Sequence, residues 1–435
     1  MNSEERIAKA LAVSTDTRAF ELGKHNLAKA PGLFRRFFDG RKALVVADNN
    51  TWRVAGKEVY GYFEADGIPV EPFIFDEEEF HADWDHIERL DQALDSTGAI
   101  AVSVGSGTIN DLCKLCSHHH AQSYLTIPTA ASVDGYTSFG ASITKDNSKQ
   151  TFSCPAPVAV LADVEVIAAA PKEMTAAGYA DLAAKVPAGG EWMIADLVGT
   201  EPIVPAAWHI LQDDLDELLS DPAGVAAGNH DAVGALFEGL ILSGFAMQAA
   251  RSSRPASCCD HLFSHILDMT HHRYKGKFVS HGFQVAIGTL IMCRVFDNFF
   301  KVDVPGIDID KCVAAWPTLE QEQARALELF KDFPAPRLGY ESITQKYSDA
   351  AGVRRELTLL KEQWPELKAK LQAQVWPYEK MKQCFKTVGA PYEPEHIGVD
   401  AAWISSVFPL VQLMRFRYNL LDIAKRGGFY DEIVF

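Results

Sequence analysis

The feature that most constrains this fold is the alternation of short apolar runs with helical patterns in the first part of the chain. The run VEPFIF and the others like it have the length and β-rich composition of buried strands. Between the predicted strands that begin at Ala43 and Val70, residues 52–67 have the spacing of a helix. They end at Gly67, and glycine is common where helices end. Such alternation predicts a mostly parallel sheet covered by helices on both faces. The five predicted strands begin at Ala43, Val70, Ala99, Tyr124 and Val158.

From about Met174 onward, strand-like runs nearly vanish and long helical patterns replace them. Residues 231–251, 356–375 and 406–428 are the clearest examples. The sequence therefore predicts an α/β N-terminal domain with a mostly parallel, Rossmann-like sheet over residues 1–175, and an all-α C-terminal domain over residues 176–435. We expect a ligand in the cleft between them.

Charge and composition narrow the function classes. A formal charge of -17 disfavours nucleic acid as a major partner, although a pocket on an acidic protein can still bind a small anion. We find no secretory signal, and the most apolar stretch, 234–250, is interrupted by Glu238, so no membrane span is predicted. Eight cysteines in 435 residues do not indicate a disulfide scaffold. We expect a soluble, cytoplasmic homo-oligomer.

Two loops could hold a phosphate-bearing cofactor. In VSVGSGTINDLCK a buried strand runs through glycines into a helix, which favours close backbone approach to phosphate, but the same pattern also suits a plain tight turn. Asp48 ends the first strand, where it could meet a ribose hydroxyl or simply cap the next helix. The second loop, IPTAASVDGYTS, gathers small hydroxyl residues around Asp134 and could line a cofactor or polyol site.

A cluster of histidines gives the most specific signal. His261 and His265 are one helical turn apart and face the same side, while His281 opens the next segment. Histidines from two adjacent helices suit a divalent metal if an acid joins them, and Asp181 is the candidate acid. A single histidine is more often a hydrogen-bonded core residue, but the set together favours a metal.

Two other groups resemble metal sites less closely. Cys113 and Cys116 are followed by three histidines, but no second pair of ligands follows at suitable spacing, so a solvated helix end is the better interpretation. Cys258 and Cys259 lie beside the predicted metal site, where we expect them to pack as small residues rather than form a bridge.

Five ordered motifs resemble the sn-glycerol-1-phosphate dehydrogenase family, within the superfamily of glycerol dehydrogenases, iron-type alcohol dehydrogenases and dehydroquinate synthases. They are GSGTIND, PTAASVDGYTS, AAGYADLAAKVPAGGEW, SRPASCCDHLFSH and HGFQVAIGT, and the resemblance extends from about Ala43 to Arg426. Compared with the family pattern, Ala131, Val133 and the segment 258–260 depart from the usual residues, but Asp260 keeps the charge and no metal ligand is lost.

The resemblance implies roles for particular residues. It places a divalent metal, zinc with iron or nickel as alternatives, on Asp181, His261 and His281. It assigns substrate contact and catalysis to Asp134, Asp181 and His265. It assigns cofactor binding to Asp48, Gly105, Gly107, Thr108, Ile109, Asn110, Asp111, Thr129, Ala130, Ser132, Val133 and Ser138.

The implied reaction is hydride transfer between a nicotinamide cofactor and a small phosphorylated polyol, interconverting dihydroxyacetone phosphate and sn-glycerol-1-phosphate. A carboxylate at Asp48 favours NAD, with NADP as the alternative. Lys149, Lys185 and Arg254 are the basic residues within the motifs that could bind the phosphate, and the sequence does not choose among them. The alternatives are another polyol or polyol-phosphate dehydrogenase, a sugar-phosphate cyclase of the same superfamily, and a non-catalytic binding module.

Overall fold

The predicted parallel sheet is present in the computed structural model, which describes residues 2–77, 80–146 and 148–435. Within these residues, six strands form one sheet in the order β1-β8-β5-β4-β2-β3, and every neighbouring pair is parallel. The strands in chain order are β1 Ala19–Gly23, β2 Ala43–Asp48, β3 Val70–Phe75, β4 Ile100–Gly105, β5 Leu125–Pro128, β6 Ala141–Lys145, β7 Ser148–Phe152 and β8 Ala159–Asp163.

Five of the sheet strands match the predicted runs to within one residue. The edge strand β1 and the antiparallel hairpin of β6 and β7 were not predicted. Consecutive residues of the central strands face opposite layers, as pleating requires. Val45 packs with the helices Ala30–Phe38 and Lys57–Ala65, whereas Leu44 and Val46 pack with helices on the other face. Both faces are therefore covered, which confirms the α/β prediction.

The chain divides into two compact units that are interleaved in sequence. The first comprises Met1–Leu182, Ala206–Ser253 and Thr387–Gly389, and the second comprises Ala183–Pro205, Arg254–Lys386 and Ala390–Phe435. The predicted assignment of cofactor binding to residues 1–175, and of metal and substrate binding to 176–435, concerns function and stays a prediction.

Helices account for most of the remaining structure. Those up to residue 250 are Ser3–Val13, Ala30–Phe38, Asn49–Thr51 continuing through a π-helical turn Trp52–Gly56 into Lys57–Ala65, Trp84–Thr97, Gly107–His119, Val164–Ala168, Lys172–Ala183, Lys185–Leu197, Pro205–Leu211, Leu215–Leu218, Pro222–Ala227 and His230–Ala250. Those after it are Cys259–Met269, His281–Phe299, Ile309–Ala315, Leu319–Leu329, Leu338–Lys346, Ala350–Gln374, Tyr378–Val388, Ala401–Leu413, Leu420–Arg426 and Tyr430–Ile433. Short 3-10 turns lie at Asn26–Lys29, Val304–Gly306 and Pro394–Ile397.

The region after residue 174 is helical, as predicted, apart from the two-residue strands β9 Arg273–Tyr274 and β10 Lys277–Phe278. One predicted helix is wrong in detail. Residues 406–428 do not form a continuous helix, because the chain leaves helical geometry after Leu413 and resumes it at Leu420. Asn419 caps the second helix through its side chain, which accepts a hydrogen bond from Asp422 N–H.

The helix His230–Ala250 is long and apolar enough to cross a membrane by length and composition. However, 83% of its most apolar window is buried within the protein. Buried Glu238 on this helix forms an ion pair with Arg6, whose Nε lies 2.6 Å from its carboxylate. The helix therefore has the burial and the polar partner expected of the core helix of a soluble protein.

We predict that Gly178→Ala destabilises the first unit. A Cβ at Gly178, in the helix Lys172–Ala183, would lie 2.0 Å from the carbonyl oxygen of Ala131, so the loop against it must move. We expect the free energy of unfolding to fall by about 2 to 3 kcal/mol. The matched control is Gly61→Ala, also in a helix but with nothing within 4 Å of the added carbon, which should stabilise by about 0.5 to 1 kcal/mol. Equal urea midpoints for the two variants would contradict this close-contact account.

Candidate functional site

The strand order creates a switch point at the carboxyl ends of β2 and β4. From β2 the chain moves outward to β3, then crosses back to place β4 on the other side of β2. The helices that follow β2 and β4 pack on opposite faces of the sheet. Loops after two such strands diverge and leave a crevice, which is where open α/β sheets bind ligands. The two segments that begin this crevice are the ones predicted for the cofactor, at Asp48 and at Gly105–Gly107.

Asp48 acts as a helix cap. Its Oδ1 accepts hydrogen bonds from the N–H groups of Asn50, at 2.7 Å, and Thr51, at 2.9 Å. The capping alternative considered for this residue is therefore confirmed. Capping occupies one carboxylate oxygen and does not conflict with a ribose contact by the other, so the predicted cofactor role stays a prediction.

The glycine loop needs glycine at both ends. A Cβ on Gly105 would lie 2.6 Å from the Cβ of Ile109, and one on Gly107 would lie 2.9 Å from a methyl group of Val133. The first contact closes the strand-to-helix turn, and the second seats the 129–138 loop against it. The two predicted cofactor loops are therefore neighbours, since Thr129 N–H also donates to the Gly105 carbonyl at 3.1 Å.

The 129–138 loop is held by its own backbone and by buried side chains. The Tyr136 hydroxyl donates to the Ala130 carbonyl at 2.7 Å, and the Ser138 hydroxyl donates to the Gly135 carbonyl at 3.1 Å. The predicted cofactor residues Thr129, Ala130, Ser132 and Ser138 are all buried. The structure brings this set together, while their contact with a cofactor stays a prediction.

Lys114 is the residue in this region that sequence analysis missed. Its ammonium group donates to the carbonyls of Gly135, Ser138 and Gly140, at 2.8, 2.9 and 3.0 Å, and its side chain is buried. An ammonium group has three N–H donors, so all three are used to fix one loop. The only signal in the sequence was a lysine among the apolar residues of DLCKLC.

Asn110 and Asp111 support the same loops. Asn110 donates to the Gly135 carbonyl at 3.3 Å and accepts from the Tyr124 hydroxyl at 2.9 Å. Asp111 accepts from the Ser142 N–H at 3.1 Å. These side chains position the loop. The cofactor contacts predicted for residues 107–111 stay a prediction.

Asp134 and Asp181, both predicted for substrate, are adjacent within the first unit. The Asp134 N–H donates to Asp181 Oδ2 at 3.0 Å, and the Ser243 hydroxyl donates to Asp134 Oδ2 at 2.8 Å. Asp181 is fully buried. A buried carboxylate held by a backbone N–H is oriented before any ligand arrives, which suits a metal ligand or a substrate-binding group.

His261 and His281 face each other within the second unit. His261 lies in the helix Cys259–Met269 and His281 opens the helix His281–Phe299. Their ring centroids are 5.3 Å apart, and their ligand nitrogens lie within 4.8 Å of each other. Two imidazoles at this separation on adjoining helices can bind one metal ion after a small side-chain adjustment.

Neighbouring side chains fix the orientation of both rings. The Asp260 carboxylate accepts a hydrogen bond from Nδ1 of His261. The Ser264 hydroxyl uses its hydrogen on Gln284 Oε1, at 2.7 Å, so at 3.2 Å it accepts one from Nδ1 of His281. Both rings then carry hydrogen on Nδ1 and present Nε2 as the metal-binding nitrogen, as metal-ligating histidines commonly do. The role of Ser264 could not have been found from its sequence position alone.

His265 has a different environment from the histidine pair. Its Nε2 lies 2.9 Å from Nη2 of Arg415. Arg415 belongs to the non-helical segment 414–419, which the sequence wrongly placed inside a helix. An arginine can only donate, so Nε2 of His265 accepts and the ring is neutral.

A second group of possible metal ligands consists of Glu191, Cys258 and Cys259. Their contacts indicate that they stabilise the fold instead. Both Glu191 oxygens are used, one by Cys259 N–H and one by Leu420 N–H, each at 3.0 Å. Burial raises the pKa of the Cys259 thiol well above its usual range, as expected of a cysteine packed in the core. Both cysteines are free and buried, which confirms the prediction that they pack without a bridge.

The predicted solvated helix end is present at His118 and His119, which are exposed, but Cys113 and Cys116 lie in the core. Both are free and buried, and burial raises the pKa of each thiol. The neighbouring His119 instead pairs with Asp91, at 2.7 Å. Within the described ranges, the side-chain groups that could hold a metal do not include these residues.

Of the basic residues considered for a phosphate, Arg254 and Lys185 are both buried. Arg254 forms an ion pair with Glu201 at 3.2 Å. The side chain of Lys149 lies outside the described part of the structure.

Comparisons with known proteins agree with this fold. The family model for iron-containing alcohol dehydrogenase matches residues 21–171 of this chain. A probable glycerol dehydrogenase from Sinorhizobium meliloti superposes with a TM-score of 0.61 at 17% identity, covering 96% of both chains. Glycerol dehydrogenase from Schizosaccharomyces pombe superposes with a TM-score of 0.54 at 18% identity, covering 94% of this chain and 95% of that one. These likenesses show the fold, and the segment 21–171 is similar in sequence to the iron-containing alcohol dehydrogenases.

Two curated relatives narrow the assignment. A glycerol-1-phosphate dehydrogenase from Pyrococcus horikoshii is 34% identical over 276 residues, which are 62% of this chain and 76% of that protein. One from Halalkalibacterium halodurans is also 34% identical, over 58% of this chain and 64% of that protein. The chain belongs to the glycerol-1-phosphate dehydrogenase family. It spans 64% of the length of the Halalkalibacterium relative, just under two thirds.

We predict that Lys114→Met loosens the predicted cofactor loops. The change removes three charged hydrogen bonds and takes away the ammonium donor of the Ser138 and Gly140 carbonyls, so the free energy of unfolding should fall by at least ~3 kcal/mol. Urea unfolding followed by tryptophan fluorescence would measure this. Lys57→Met, on an exposed helix position, is the matched control and should change the midpoint little. A Lys114→Met protein as stable as the control would refute the loop-holding role.

Proposed function

We propose that this chain is a metal-dependent, NAD(P)-dependent dehydrogenase that interconverts dihydroxyacetone phosphate and sn-glycerol-1-phosphate. The observation that carries the proposal is the facing pair of His261 and His281, oriented through their Nδ1 atoms, in a member of this family. The relatives from Pyrococcus and Halalkalibacterium carry that activity in their names.

We propose Asp181, His261 and His281 as the metal ligands, with zinc as the metal. The donor set fits this metal, since two neutral imidazoles and one carboxylate leave an open position for substrate. A bound metal would supply Lewis-acid polarisation of the substrate oxygen. Asp260 and Ser264 would hold the two rings in the binding orientation.

The cofactor would occupy the crevice at the switch point of the sheet. The glycine loop lets the backbone approach its phosphates, while Lys114 keeps the adjoining loop fixed. Asp48 would contact the adenosine ribose and favour NAD, because a carboxylate there repels the 2′-phosphate of NADP. The residues proposed to line this site are Asp48, Gly105, Gly107, Thr108, Ile109, Asn110, Asp111, Thr129, Ala130, Ser132, Val133 and Ser138.

Two further residues would act on the substrate itself. His265 is neutral, with its hydrogen on Nδ1, so it can donate that proton toward a developing oxygen charge and accept it in reverse. Asp134, fixed by Ser243, would orient a polyol hydroxyl by accepting its hydrogen bond. Cytoplasmic location and homo-oligomeric assembly complete the proposal, and they rest on the sequence.

The test is NADH oxidation by zinc-loaded protein with dihydroxyacetone phosphate, followed by chiral analysis of the glycerol phosphate formed. We expect metal-dependent turnover that yields the sn-1 enantiomer. His261→Ala removes one proposed ligand and should lower kcat/KM by at least about 1,000-fold, since Lewis-acid stabilisation is worth several kcal/mol.

His118→Ala is the matched control, because this exposed histidine lies outside the proposed site, and it should retain the activity. Folded, zinc-loaded protein that fails to reduce this ketone would overturn the substrate assignment. Conversion of a sugar phosphate without net NADH consumption would instead identify a cyclase.

A further inference from the structure

Three arginines of the second unit contact the proposed metal-binding helix Cys259–Met269 or the residues just before it. Arg254 and Arg417 are buried, and Arg415 is half-buried beside His265. Three like charges in one region repel one another unless acids or anions balance them. The partners of each arginine therefore show what the region is built to bind.

Two of these arginines serve the structure. Arg254 pairs with Glu201 at 3.2 Å and donates to the Tyr418 carbonyl at 2.9 Å. Arg417 donates to the carbonyl and hydroxyl oxygens of Ser257. Both interactions tie the 414–419 segment to the residues just before the helix Cys259–Met269, so both side chains help to hold that segment.

Arg415 is the exception. Its guanidinium contacts the neutral imidazole of His265, and within the described residues no carboxylate forms an ion pair with it. Burial, and then the charge of Arg417, lower the pKa of Arg415 to about 10. The cation is thus held where the protein provides little compensation, an arrangement that an incoming anion would stabilise.

We propose that Arg415 binds the phosphate of the polyol substrate, which rests on the proposed function. A guanidinium offers paired N–H donors that match two phosphate oxygens, and these are among the strongest polar contacts proteins make. The contact with His265 places this cation beside a residue proposed to act on the same substrate. One small molecule would then contact His265 at its reacting carbon end and Arg415 at its phosphate end.

This assignment makes Arg415 a specificity residue, distinct from the basic residues that the sequence suggested. It predicts that removing the guanidinium penalises the phosphorylated ketone selectively. Unphosphorylated dihydroxyacetone has no anion to bind, so it should lose only the part of its rate that depends on the contact between Arg415 and His265.

The test compares Arg415→Gln with the wild-type holoenzyme, using dihydroxyacetone phosphate and dihydroxyacetone as alternative substrates. We expect kcat/KM for the phosphate ester to fall about 10- to 100-fold more than kcat/KM for dihydroxyacetone, mostly through KM, with KM for NADH unchanged. Arg355→Gln, on an exposed helix position, is the matched control and should behave as wild type. Equal losses for both ketones, or a rise in KM for NADH alone, would overturn the assignment.

Phosphate binding provides a readout that does not depend on turnover. Inorganic phosphate should raise the Tm of the wild-type protein more than chloride at equal ionic strength, and this difference should vanish in Arg415→Gln but persist in Arg355→Gln. If the wild type reduces no phosphorylated ketone, the proposed function fails while this titration still decides the anion site. A phosphate effect that survives in Arg415→Gln would refute the site itself.

Discussion

The proposed catalytic chemistry depends on the close approach of two helices at Gly288. A Cβ at this position would lie 2.1 Å from the carbonyl oxygen of Asp260, so any other residue would push the helix Cys259–Met269 away from the helix His281–Phe299. That approach brings His261 within reach of His281 and lets Ser264 bind the second ring. The positions of these two histidines, which we propose as metal ligands, are therefore set by backbone packing.

The fold could largely be predicted, because its strongest signals are local. Each buried central strand is a short apolar run, and the helices between strands carry the periodicity of one covered face. The edge strand β1 was missed because AFELG is only half apolar and partly exposed. The break at 414–419 was missed because its residues suit a helix, and it is contacts with Ser257 and His265 that hold them outside one.

For the candidate site, the sequence could predict which types of residue are present but not which of them contact one another. The spacing of His261, His265 and His281 indicated a metal, but it did not separate the facing pair from the histidine beside Arg415. Lys114 donates to residues at least 21 positions away in the sequence, and Arg415 contacts a residue 150 positions away. Local periodicity of the sequence does not predict such contacts. Their roles follow from burial and from which donors meet which acceptors, and these are properties of the folded chain.

The most direct test of this account is anomalous diffraction at the zinc absorption edge from crystals of the zinc-loaded protein. We expect one strong peak at about 2.0 to 2.1 Å from Nε2 of both His261 and His281. A peak on Cys258, Cys259 and Glu191 instead, or no peak at the histidine pair, would contradict the claim that these two rings form the metal centre.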